Sequence, residues 1–239
     1  IADGYWCDIG SLDAYRQAQY DAIRGRVNLN LGYLQQRTGV WVGEHTEIDT
    51  SARIEAPVLI GANCSIGARV SISAGTIIGD HVTIGNDADL QRPIICNGVV
   101  VGEESHLWAC TVARNARVNR RSHVMEGAVI GTGSIVGEEA HICPNVRIWP
   151  SKKVEAGATL NSNLIWGSMA TRNLFGQRGV SGLANVDITP EFAVKLGAAY
   201  GATLGFGAQV MVSRDQRTIC RMVTRSLISG LMSVGANIQ

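Results

Sequence analysis

The chain has 239 residues, a formal net charge of +1, only 5% aromatic residues and 28 glycines. A near-neutral balance gives no electrostatic footing for a nucleic acid or an anionic membrane surface. No apolar run nears the roughly 20 residues of a membrane-crossing helix, and the many glycines point to a repetitive, turn-rich architecture.

The opening, IADGYWCDIG, has neither the basic region nor the long apolar stretch of a secretory signal. Lacking an initial Met, it reads as the interior of a longer polypeptide. Cys7, Cys64, Cys96, Cys110, Cys143 and Cys220 form no CxxC pair and no compact framework. They are expected to be reduced thiols of a cytoplasmic protein. A helix is expected after residue 10, with Ser11 as its N-cap and Asp13 in the first turn, where the helix dipole favours a carboxylate.

From about residue 40 to 160 one pattern dominates. Apolar residues recur every six positions at Val42, Ile48, Ile54, Ile60, Ile66, Ile72, Ile78, Ile84 and Leu90. They do so again at Val112, Val118, Val124, Ile130, Val136, Ile142, Ile148, Val154 and Leu160. Ile95, Val101 and Leu107 join the two runs through two five-residue steps, from 90 to 95 and from 107 to 112. Ile94 would serve as well as Ile95. Two residues before each of these openers stands a small side chain, with Pro93 and Lys152 as exceptions. Alternation in extended chain puts those small residues on the same inward face as the openers, Cys64 and Cys110 among them. Gly43, Gly61, Gly67, Gly79, Gly85, Gly102, Gly131 and Gly137 follow openers. They are expected at corners, where glycine adopts conformations closed to other residues.

A period of six fits neither a helix nor an isolated strand. It resembles the left-handed parallel β-helix of hexapeptide-repeat proteins, with three hexads to a coil. The resemblance implies about seven coils, a prism on the order of 30 Å long at about 4.8 Å per layer, and tight corners at the five-residue steps. His106, His123 and His141 each precede an opener, so they should stack outward on one face. Two readings are open. Hexapeptide carbonic anhydrases hold a metal through histidines and hexapeptide acyltransferases use a catalytic one. A parallel stack, however, lacks the convergent vectors a metal needs. The preferred reading is a contact surface comprising His106, His123 and His141 with the corner residues Trp108 and Trp149, serving a homo-oligomer or a domain contact.

After Leu160 the hexads stop. Thr189, Pro190 and Glu191 are an N-cap, a first helical residue and a dipole-compatible carboxylate. Residues 208–213 read as a strand, and 218–234 as a helix stopped by Gly235. The expected order is β-α-β-α.

Both flanks resemble known enzymes. Gly-Tyr-Trp-Cys-Asp-Ile-Gly at 4–10, followed by a helix and a β-helix, resembles the end of the catalytic domain in sugar-1-phosphate nucleotidyltransferases, especially mannose-1-phosphate guanylyltransferases. The resemblance implies that Asp8 is a ligand of Mg²⁺ beside the sugar phosphate. The Gly-rich nucleotide loop of that family has no counterpart in these residues. Residues 174–217 resemble the opening of phosphohexomutases of the phosphomannomutase/phosphoglucomutase type. The motif F-G-T-x-G-x-R-G matches at Phe175, Gly176, Gly179 and Gly182, the helix at Thr189–Phe192, and G-R-D-x-R at Arg214, Asp215 and Arg217. That implies phosphate or substrate contacts at Arg178, Ser181, Arg214 and Arg217. Ser181 stands where the family has Arg, which removes a bidentate phosphate clamp. Gln177 and Ser213 are further departures, and the family's phosphoserine loop is not among these residues.

The expected domains are 1–28 (end of a nucleotidyltransferase domain), 29–165 (β-helix) and 166–239 (start of a phosphohexomutase-like region). The expected whole is a cytoplasmic enzyme that joins a nucleoside triphosphate to a sugar 1-phosphate, GDP-mannose synthesis being the favoured case. Within it the β-helix would be an assembly platform and the mutase-like region degenerate, and these residues alone would be inactive. The rival readings are a non-catalytic oligomerisation module and a hexapeptide acyltransferase or carbonic anhydrase.

Overall fold

In the computed structural model the described residues are 5–165, 169–170, 174–175 and 179–239. The chain divides into two units, residues 1–173 and 174–239.

The first unit is a parallel β-solenoid of about seven turns, of the left-handed hexapeptide type. Its two- and three-residue strands stack into three parallel columns. Coils repeat every 18 residues, as in Leu59↔Ile77, but every 17 where the five-residue steps fall, as in Ile77↔Ile94 and Ile94↔Thr111. Both short steps are tight corners without insertions. Arg92 and Ala109 adopt positive φ there, and Ala109 N–H donates to Gln91 O at 2.7 Å, stacking one short corner on the other.

From Ile60 to Val154 every opener is buried. The small positions share that interior, and their polar atoms are paired upward. Ser105 Oγ donates to Asn119 O (2.9 Å), Ser122 Oγ to Gly137 O (2.7 Å) and Ser134 Oγ to Trp149 O (2.9 Å). These bonds cancel the cost of a buried, unmade hydroxyl bond, about 1–3 kcal/mol each. Cys64 and Cys110 lie in this core, and burial pushes the Cys110 thiol up to about 12. All six cysteines are free.

The reason for the post-opener glycines differs from the sequence expectation. None of the eight has a positive φ; the left-handed residue falls two positions later, as His45, Asn63, Arg69, His81 and Asp87 show. What excludes a side chain is the neighbouring coil. A Cβ on Gly85 would lie 2.6 Å from Glu103 N, and one on Gly131 would lie 2.6 Å from Pro150 N. Coils at strand spacing leave no room there.

The ambiguity between Ile94 and Ile95 is resolved in favour of Ile95. Ile95 joins the interior, whereas Ile94 points outward into a second cluster with Leu59 and Ile77. Helix α1 (Leu12–Ile23) covers that face with Tyr20 and Ile23, joined by Tyr15, Leu31, Tyr33 and the outward Trp41. Each buried anchor of α1 is worth roughly 2 kcal/mol. Ser11 caps α1, its Oγ accepting from Ala14 N–H at 3.1 Å. A hairpin of Leu34–Arg37 on Val40–Val42 closes one end of the solenoid, and Met169–Ala170 pairs with Lys153–Val154 near the other.

In the second unit, α2 (Pro190–Leu204) packs on α3 (Thr218–Ser233). Thr189 Oγ1 caps α2 by accepting from Phe192 N–H at 3.2 Å, and Gly235, at φ 87°, ends the α3 segment. Gly197 and Gly230 permit the contact: a Cβ on Gly230 would meet Ala198 N at 2.8 Å. Gln209–Val210 pairs in parallel with Asn237–Ile238. The order among the described residues is therefore α-β-α-β. Ahead of α2, residues 183–188 form a turn. Asn185 takes φ 60° there, and the Asp187 carboxylate accepts from Leu183 N–H at 2.8 Å.

Candidate functional site

The histidines form the column that their spacing implies. His106 pairs with His123 and His123 with His141 across adjacent coils. Ring centroids are 4.8 and 4.4 Å apart, with the planes within 6° and 4° of parallel. His106 Nδ1 lies 3.6 Å from Asp89 Oδ2, one coil away. Burial, then the neighbouring His141 and His106, hold the His123 imidazole below its ordinary pKa. Parallel rings cannot converge on one ion, and among the described residues no group of three or more His, Cys, Asp or Glu side chains could hold a metal.

Trp108, about half exposed, ends the strand that begins at His106 and shares a groove of about 200 Å³ with Asp89, His123 and Met125. Trp149 follows Ile148, in a different column, so the five expected contact residues do not form one patch. Four of them, His106, His123, His141 and Trp108, belong to one face.

Asp8 is exposed, beside Gly10. Mg²⁺ is ordinarily held by one or two carboxylates together with substrate phosphates. Asp8 offers one carboxylate and belongs to no metal-binding group among the described residues. These residues do not by themselves fit the ion.

In the second unit the loop between Gln209–Val210 and α3 carries Arg214, Asp215 and Arg217. The Asp215 carboxylate accepts from Arg217 N–H at 2.9 Å. A hydrogen bond from Cys220, then that backbone N–H, hold its carboxyl below the usual range. Arg214 Nη1 donates to Asp215 O at 3.3 Å, and both arginines are exposed. A recess of about 390 Å³ is lined by Gly182, Ser213, Arg214, Asp215 and Cys220. The fold thus gathers Arg214 and the Gly182 segment on one cavity. Ser181 is exposed and Arg178 lies outside the described residues, as do Gly176 and Gln177.

Residues 172–239 match the family model "Phosphoglucomutase/phosphomannomutase, alpha/beta/alpha domain I". Residues 37–142 match the model "EIF2B subunit epsilon LbH domain". The similar curated proteins are phosphomutases. A phosphoglucomutase/phosphomannomutase of Thermococcus kodakarensis is 46% identical over 69 residues, 27% of this chain and 15% of that protein. A phosphoglucosamine mutase of Natranaerobius thermophilus is 45% identical over 67 residues, 28% of this chain and 15% of that protein. The chain thus spans about 15% of the length of these relatives. Among solved structures, a UDP-N-acetylglucosamine acyltransferase from Campylobacter jejuni superposes with a TM-score of 0.46 at 15% identity, covering 57% of this chain and 69% of that one. One from Francisella novicida gives 0.39 at 14% identity, covering 85% and 94%.

Sequence reasoning passed over one group. Arg16, Tyr20 and Arg92 meet where α1 crosses the short corners. Tyr20 Oη donates to Arg92 O at 2.8 Å, and the Arg92 guanidinium stands 5.2 Å from the Tyr20 ring centroid. The five-residue steps marked the place in the sequence; nothing in the hexad pattern showed that a helix would seat there. No helix among the described residues is long and apolar enough to cross a membrane.

Proposed function

We propose that this chain is part of a sugar-nucleotide enzyme that transfers a nucleotidyl group to a sugar 1-phosphate, mannose 1-phosphate and GTP being the favoured pair. The β-helix serves as its assembly platform. The observation that carries the reading is the seating of α1. The helix directly after the Asp8 segment is clamped to the solenoid by Tyr20 and Ile23 against Leu59, Ile77 and Ile94. A catalytic domain ending at that segment would be held rigidly to the platform. The matches to an EIF2B-epsilon-type β-helix and to a phosphohexomutase domain I support the same arrangement.

In this reading Asp8 contributes one carboxylate to a Mg²⁺ site completed by other residues and by the substrate's phosphates, where the ion would offset phosphate charge. Arg214 and Arg217 bear the charge of the mutase-like recess. Ser181, in the place of an arginine, supplies none, so this region binds phosphate weakly and does not turn it over. The complete gene product carrying this chain, assayed with mannose 1-phosphate and GTP and with other sugar-nucleotide pairs, should release pyrophosphate in one pairing. Inactivity with every pair would end the reading.

A second reading, an oligomerisation module without chemistry of its own, is favoured by the exposed face of His106, His141 and Trp108. Light scattering should find a homo-oligomer in solution; a strict monomer would count against the platform role.

A further inference from the structure

Two neighbouring residues of α1 hold different things. Tyr20 faces the solenoid, where its Oη donates to Arg92 O at 2.8 Å. Asp21, only 5% exposed, holds the segment that precedes the helix. Its carboxylate takes three donors. Gln17 Nε2 at 2.8 Å, one helical turn back, and Arg26 Nη1 at 3.0 Å, just past the helix, both reach Oδ1. Tyr5 Oη, 16 residues away in the chain, donates to Oδ2 at 3.0 Å. Burial works against the charged carboxylate, but the bonds from Tyr5, Gln17 and Arg26 outweigh it and hold the carboxyl below its ordinary range. Burial, then the same carboxylate, push the Tyr5 phenol up to about 12, so it keeps its proton and stays the donor. The segment from Tyr5 to the helix is therefore pinned at both ends. Tyr5 is tied to Asp21, and Ser11 caps α1 by accepting from Ala14 N–H at 3.1 Å. Asp8 stands midway between the two pins, beside Gly10.

We propose that Asp21 is a positioning residue for the nucleotidyl-transfer site: acting through Tyr5, it fixes the stretch that carries Asp8 to α1, as Tyr20 fixes α1 to the solenoid. The proposal rests on the catalytic reading above, in which Asp8 belongs to the active site. Gln17 and Arg26 already satisfy the helix through one carboxylate oxygen; the other oxygen reaches beyond it. Without the Tyr5 bond the segment would be held at Ser11 alone and could swing about the start of α1. A displacement of about 1 Å in a reacting group is enough to slow a reaction strongly. Because residues 20 and 21 are adjacent, the same turn of helix transmits the position of the solenoid to that of Asp8.

Two measurements on Tyr5→Phe test this. Tyr5 is 43% exposed, so the variant deletes the bond without opening a core. In the 239-residue chain, backbone NMR order parameters of residues 6–10 should fall from roughly 0.85 to below about 0.6, while those of α1 stay high. In the complete gene product, kcat for pyrophosphate release should fall about tenfold with both KM values within about twofold of wild type, the mark of lost positioning and not of lost substrate binding. Asp21→Asn, which turns an acceptor into a donor, should act in the same direction. Asp13→Ala is the control: it removes the bond from Arg16 in the first turn of the same helix but leaves Asp21 and Tyr5 joined, and kcat should not change. Equal kcat in an active wild type and Tyr5→Phe overturns the proposal. So does a segment that stays ordered in the variant, or an equal loss in Asp13→Ala, which would show that helix stability alone matters. A wild type inactive with every substrate pair ends the catalytic reading itself, and the active-site role of Asp21 with it.

Discussion

The imidazole of His123 stacks on that of His141 with centroids 4.4 Å apart and planes 4° from parallel. Two cations cannot share that geometry cheaply in a half-buried column, and His106 stacks on the other side of His123. The folded chain therefore holds His123 neutral to lower pH than the unfolded chain does. Above the ordinary value of 6.5 both states are neutral and the full stability is present. As pH falls from 6.5 through the depressed folded value, the unfolded chain takes the proton first, and stability is lost over that window. Thermal unfolding of the wild type should show a falling Tm over this range. His123→Thr, which matches Thr159 in the same column, should flatten the fall. Equal slopes in the two proteins would refute the role of the stack.

Glycines after the openers and glycines at the corners should respond oppositely to substitution. Gly85→Ala forces a Cβ against Glu103 N and should cost about 1–3 kcal/mol, the usual range for overpacking. Gly133 has φ 66° and open space, with Ser151 Oγ at 3.8 Å as the one atom near a Cβ. Gly133→Asn should stay within about 0.5 kcal/mol, because Asn tolerates the left-handed region and occupies it at Asn63, Asn115 and Asn145. Denaturant midpoints measure both. A tolerated Gly85→Ala would show that conformation, not coil spacing, selects these glycines.

Tyr20 should govern the seating of α1. Tyr20→Phe deletes the bond to Arg92 O and should cost about 1 kcal/mol. Tyr20→Ala also removes the buried ring and should cost about 3–5 kcal/mol of local stability. Hydrogen exchange should quicken in α1 while the coils beyond it stay protected.

The α2–α3 crossing should fail without its glycines. Gly230→Val places methyls against Val194 and Ala198 of α2. Limited proteolysis should then cut between residues 190 and 233, leaving a resistant fragment that contains the solenoid. An unchanged cleavage pattern would mean the helices pack differently.

The solenoid was legible because its code is local. Strand alternation and the hexad together decide which side chain points inward, and from Ile60 to Val154 the openers do so. The stacking of His106, His123 and His141 follows from the same count, since one coil removes 17 or 18 residues and brings like positions together. The caps at Ser11 and Thr189 were readable for a similar reason, each bond reaching only three residues. Of the candidate site residues, Arg214 lines a recess together with the Gly182 segment, while Asp8 stands exposed and belongs to no metal-binding group among the described residues.

What the tertiary structure decided depends on groups far apart in the chain. Ile94 points outward and Ile95 inward because a helix from residues 12–23 covers that face, a contact no six-residue window contains. The glycines after openers are required by backbone 18 residues away, as Gly85 is by Glu103. The seating of α1 needs helix and coil in place together, with Tyr20 bonded to a carbonyl 72 residues along. Sequence alone fixed the period, the inward face and the stack, since these follow from covalent geometry and alternation. Docking of the helix arises only when surfaces made by distant segments meet.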